Sequence, residues 1–233
     1  MEKSYKILIL FFTVVMILSL SGFFYTYLRF FPDLDRFPML VHIHFVAFIC
    51  WFLLLIIQPV LIRQRRYGLH RTLGKLSWLL APVLVISMLL LVKEKVQREL
   101  GTSAETAAMT AFIGLLDAVS FSGCYGLAMI KRRNIRWHVA FIIGATLIVF
   151  NPGMSRLFNH FKPGSGLLAA VMFPFIVPLI IITMEKFRFK RPVLGSPYLL
   201  FVLLWLGEVL LLMTVPQTGF WKHLVIKFVS QKL

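Results

Sequence analysis

Seven apolar stretches separated by short polar segments fill almost all of this 233-residue chain. They run Ile7 to Leu28, Met39 to Ile62, Thr72 to Val92, Thr106 to Ile130, Trp137 to Phe158, Gly166 to Phe187 and Gly195 to Val215. Each is long enough to cross about 30 Å of hydrocarbon at roughly 1.5 Å per residue. In a bilayer the backbone must satisfy its own hydrogen bonds, and a segment of this length does so as an α-helix. Only 15% of residues are charged, against roughly 25% in soluble domains, and the mean hydropathy is +0.86. The expectation is an all-α polytopic transmembrane bundle of about seven helices, forming one integral membrane domain over residues 1–233.

The first stretch follows Lys3 and Lys6 and runs to Leu28 without a small-residue cleavage site. An uncleaved first span is therefore expected rather than a removable signal peptide. Of the 25 Lys and Arg residues, 15 fall in Lys3 and Lys6 and in three clusters: Arg63 to Lys75, Lys131 to Arg136 and Lys186 to Arg191. The clusters follow the even-numbered spans, and basic residues gather in cytoplasmic loops. This places the N-terminus in the cytoplasm and the chain in a bacterial inner membrane, with anionic lipids as partners of the basic loops. The net charge of +16 thus has a membrane explanation, and no nucleic-acid partner is expected. The tail, Trp221 to Leu233, is basic and amphipathic and suits a membrane interface. Cys50 and Cys124 lie within apolar runs, and no disulfide is expected.

An ionisable side chain in hydrocarbon costs about 2.5–3.5 kcal/mol on insertion scales, so each one is a candidate for function. In span two His44, Trp51 and Gln58 recur every seventh residue and share a helical face, whereas His42 points elsewhere. His70 and His138 each open a span after a basic loop and lie at one depth. A neutral imidazole ligates metal, so this pair suits a metal or a haem iron; the alternative role is contact with lipid phosphates. Asp117 sits mid-span with Ser120 and Cys124 on its face, and a structural partner for it would be Arg156 or a histidine. Pro152, beside Asn151, predicts a kink or break near the far end of span five. His138 and Arg156 are five turns apart, about 27 Å along one face. Glu208, His160 and His223 are further polar outliers.

The run His42-x-His44, Trp51, Gln58, then Leu69-His70-Arg71-x-Leu73-Gly74, followed by His138 and Arg156, resembles a large set of uncharacterised bacterial inner-membrane proteins. The resemblance covers roughly Leu40 to Leu157. One position departs from it: Val139 stands where a basic residue commonly follows the fifth-span histidine. More distantly the layout is similar to the two-haem cytochrome b group, in which histidines at helix ends clamp haem within a helical core. That resemblance implies haem b, with His70 and His138 as an inner pair and His44 with His160 or His42 as an outer pair. Two alternatives stand beside this redox reading. One is a non-haem metal site of a membrane hydrolase, built from His42, His44, Asp117 and His160. The other is a transporter or lipid-handling protein using Asp117 and Arg156 beside broken helices.

Overall fold

The computed structural model describes residues 4–230; Lys3 and residues 231–233 lie outside the described residues. The chain forms α1 (Tyr5–Thr26), α2 (Met39–Arg63), α3 (Tyr67–Leu100), α4 (Ala104–Ile130), α5 (Ile135–Phe161), α6 (Gly166–Phe189), α7 (Pro197–Thr214) and α8 (Gly219–Ser230). Among the described residues, seven of these are long and apolar enough to cross a membrane, and they coincide with the seven stretches above. The protein is a polytopic membrane protein. Successive helices alternate in direction, so the three basic clusters gather at one end of the bundle, the basic end.

The bounds of one helix differ from expectation. Helix α3 begins five residues early and runs on to Leu100, because Lys93-Glu94-Lys95-Val96-Gln97-Arg98-Glu99 consists almost entirely of good helix formers that stay helical outside an apolar span. A Lys95–Glu99 pair at 3.5 Å one turn apart sits on this extension. Helix α5 runs through Pro152 without a break, and α6 likewise passes Pro174 and Pro178.

The first five helices close into a ring. Each packs on the next, and α5 returns to pack on α1. The closing contact is made by small residues: a Cβ on Gly22 would collide with the carbonyl oxygen of Gly153, and one on Gly153 would sit 2.8 Å from Cα of Ser19. Without a side chain at either glycine the two backbones approach closely, which in a bilayer is a main source of helix association. Helices α6 and α7 pack on the other side of α5. That makes α5 the central element, with 67% of its apolar window buried, against 22–39% for the other six.

Two features fasten the ends. At the basic end Glu185 is 5% exposed and accepts two bonds from Arg136, at 3.1 and 2.7 Å. Arg191 donates to it at 3.0 Å and Ser196 at 3.1 Å. This one carboxylate ties the start of α5 to the end of α6 and the start of α7. At the opposite, far end α8 docks on α3 and α4: Val225 packs with Val96 and Ala107, and the Trp221 indole donates to the Ala108 carbonyl at 2.9 Å. Over Gly219–Ser230 the amphipathic tail is thus a helix with one face on the bundle, while Phe220, Leu224 and Phe228 face outward.

Candidate functional site

The His44, Trp51, Gln58 face of α2 points into the ring, and each residue meets a different layer. At the basic end the Gln58 carboxamide reaches the first turn of α3. Its oxygen accepts from the Gly74 N–H at 3.1 Å, and its nitrogen donates to the His70 carbonyl at 3.2 Å and to His70 Nδ1. This orientation is assigned from the hydrogen-bond network: turning the amide over would set oxygen against carbonyl and nitrogen against N–H. With Nδ1 accepting, neutral His70 carries its proton on Nε2.

His138 is held the other way. Its Nδ1 lies 2.8 Å from the Ala128 carbonyl of α4. A carbonyl only accepts, so the proton is on Nδ1 and Nε2 keeps its lone pair. The two imidazoles lie within electrostatic reach of each other, although α3 and α5 do not pack together. Their remaining nitrogens differ in kind, a donor on His70 and an acceptor on His138. One turn further in, Ser77 donates to the Gly74 carbonyl at 2.6 Å. Its single proton is then spent, so Tyr125 donates to Ser77 at 2.8 Å.

Trp51 fills the middle of the ring. It is 1% exposed, with Phe121 and Tyr125 edge-on at 5.1 and 5.8 Å between ring centres. Its indole N–H is buried without an acceptor. Beyond it, Ser87 donates to the Val83 carbonyl at 2.6 Å, so His44 Nδ1–H must be the donor in the 2.8 Å contact with Ser87. His44, like His138, keeps a free Nε2 lone pair. Arg156 is within electrostatic reach of His44. Its guanidinium lies 4.6 Å over the Phe23 ring and donates to the Pro152 carbonyl at 3.2 Å; among the described residues no carboxylate pairs with it.

The other histidines have partners of their own. His42 Nδ1 lies 2.6 Å from the Tyr27 hydroxyl. Burial pushes the Tyr27 phenol above its usual value of 10.0, which keeps the hydroxyl protonated and able to donate. His160 stacks on Tyr25 with ring centres 3.6 Å apart. His42, His44 and His160 are thus engaged separately, and among the described residues no three His, Cys, Asp or Glu side chains converge as a metal site.

Asp117 stands outside the ring's interior. It lines a cavity of about 50 Å³ between α4, α5, α6 and α7, together with Asn151, Trp205 and Glu208. Its companion is therefore a second carboxylate rather than Arg156 or a histidine. Glu208 was visible in the sequence as an acid inside an apolar helix, but its partnership was not. Ser77, Ser87 and Tyr125 carried only the weaker signal of a polar residue within a span, and Glu185 was hidden beside a basic cluster. No protein-family model matches the chain, and neither a curated protein nor a solved structure matches it.

Proposed function

We propose that the protein is a redox-active membrane protein in which His138, together with His70, would hold haem b at the basic end of its helical ring. The observation that carries this reading is the fixed tautomer of His138. Metal-bound histidines commonly donate their second ring N–H to a carbonyl or carboxylate, which orients the ring and leaves the other nitrogen for the metal; the Ala128 carbonyl does this here. Trp51, Trp78, Phe121 and Tyr125 supply aromatic surface nearby. His70 fits the role conditionally: its Nε2 becomes a lone pair only when the Gln58 amide turns over. Gln58 is then the residue that sets whether His70 ligates or donates. Haem would supply one-electron transfer, and the chain's own part is to fix the ring orientations and exclude water.

We also propose, from the distribution of basic residues, that the N-terminus lies in the cytoplasm of a bacterium, with the exposed Arg63, Arg65, Arg66, Arg132, Arg133 and Arg188 against anionic headgroups of the inner membrane.

An absorption spectrum of the full-length protein from haem-replete cells tests the proposal. A Soret band is expected, lost in His138→Ala and shifted towards a five-coordinate form in His70→Ala. A colourless preparation that takes up no added haemin would overturn it.

A further inference from the structure

Helix α8 lies at the far end of the bundle, away from His70 and His138, and what it does is independent of the haem reading. Its Trp221 packs edge-on against Phe112 of α4, with ring centres 5.2 Å apart. Val225 packs on both Val96 of α3 and Ala107 of α4. The Lys93 amine of α3 lies 5.9 Å from the centre of the Phe228 ring. From Trp221 to Phe228 is about 10 Å at roughly 1.5 Å per residue, close to the usual separation of about 8–10 Å between packed helix axes. Over that length α8 passes from α4 to α3, so its axis runs across these two spans rather than along them. In a bilayer that direction is the plane of the membrane.

The same contacts fix which edge of α8 faces water. Glu105, in the first turn of α4, accepts from the Lys222 amine at 3.2 Å, whereas Phe112, two turns deeper in α4, meets Trp221. Lys222 therefore marks the outer edge. With 3.6 residues per turn, Phe220, Leu224 and Phe228 form one stripe on the opposite edge, and His223 and Lys227 fall on the side away from α3 and α4. The protein leaves the stripe uncovered: Phe220 is 77% exposed and Phe228 64%.

The depth of the helix decides what the stripe meets. Val225 rests where the apolar run of α3 gives way at Lys93 and that of α4 begins near Ala107. This is the boundary between hydrocarbon and headgroups, and the stripe points to its hydrocarbon side. Among the described residues Lys222 and Lys95 are paired with Glu105 and Glu99, whereas neither Lys93 nor Lys227 forms an ion pair. An apolar stripe bordered by uncommitted amines is the pattern of a helix that lies in a membrane surface and attracts anionic lipid.

We propose that α8 is a lipid-binding helix lying in the plane of the far membrane surface. Acyl chains cover Phe220, Leu224 and Phe228, and the amines of Lys93 and Lys227, with His223 beside them, receive the phosphates of anionic phospholipids. Because α8 is also fastened to α3 and α4, it couples that helical hairpin to the charge of the leaflet on which it rests.

The test uses full-length protein in nanodiscs of phosphatidylcholine, alone or mixed equally with phosphatidylglycerol. A nitroxide is attached through Phe220→Cys, Leu224→Cys or His223→Cys, one at a time, with Cys50→Ser and Cys124→Ala removing the native thiols. Collisions with oxygen, which partitions into lipid, are compared with collisions with a water-soluble nickel chelate. The oxygen-to-nickel ratio should be several-fold higher at the Phe220 and Leu224 positions than at His223. It should rise further with phosphatidylglycerol, and Lys93→Gln with Lys227→Gln should abolish that rise. Nickel collisions dominating at all three positions overturn the proposal. Shielding of the Phe220 and Leu224 positions from both reagents overturns it in favour of a protein partner or a second copy of the chain. Ratios equal in the two lipids overturn the assignment to anionic headgroups. Hydrogen exchange of the unaltered chain decides where a labelled variant fails to fold: amides of residues 219–228 should exchange more slowly with phosphatidylglycerol, and equal exchange overturns the proposal.

Discussion

The carboxamide of Gln58 holds the Nδ1 of His70 while its oxygen is pinned by the Gly74 N–H, so the backbone of α3 indirectly sets the tautomer of one of its own side chains. Replacing Gln58 by Leu leaves the Gly74 contact and His70 Nδ1 without their partner. The expected loss is about 1–3 kcal/mol, the usual consequence of stranding a buried polar group. Thermal unfolding reads the loss, and ¹⁵N spectra of the imidazoles should show His70 changing from Nε2–H to a mixture of tautomers. Gln58→Glu, whose oxygens only accept when ionised, should move the proton to Nδ1.

Glu185 accepts hydrogen bonds from both Arg136 and Arg191. Removing one partner of a buried ion pair costs about 3–5 kcal/mol, and partial exposure of both arginines places Glu185→Leu near the lower end. Arg191→Ala should cost less than Arg136→Ala. The Arg191 side chain is 39% exposed, against 23% for Arg136, and Arg136 donates to Glu185 through both Nε and Nη2. Denaturant melts of the purified protein give the ranking.

Gly22 lies against Gly153 with no room for a methyl group. Gly22→Ala must push α1 away from α5, and overpacking of this kind costs about 1–3 kcal/mol. Gly68→Ala, where a Cβ meets nothing within 4 Å, is the control. The difference in unfolding midpoint between the two variants is the measurement.

Alkaline pH should weaken the far end through Tyr27. Its phenol titrates higher in the folded chain than the usual 10.0 because it is buried. The stability tied to its neutral form is therefore complete below pH 10 and is lost as pH rises towards the folded value. Midpoints measured from neutral to strongly alkaline pH should fall more steeply for the unaltered protein than for Tyr27→Phe. Equal slopes would exclude Tyr27 as the source.

The seven spans were legible because hydrocarbon imposes one requirement, an apolar run of sufficient length, and sequence displays it directly. The inward face of α2 was legible for a similar reason: His44, Trp51 and Gln58 share a local helical period. The extension of α3 was missed because Lys93 and Glu94 end the apolar signal while leaving helix propensity intact. Pairings between distant helices were least legible. Nothing local to Asp117 selects Glu208 as its neighbour, and nothing local to Glu185 separates a buried acid from the exposed arginines around it. The acceptors of His138 and His44, a main-chain carbonyl and a serine, likewise depend on how α4 and α3 come to rest.

The small-residue crossing of α1 on α5 has a consequence for biogenesis. The first helix leaves the ribosome long before its closing partner exists, and three helices must enter the membrane in between. Until α5 arrives, Ser19 and Gly22 present a shallow polar notch to lipid or to the insertion machinery. Ring closure is thus a late event in synthesis, and a chain stalled before Gly153 would hold its first four helices as an open arc.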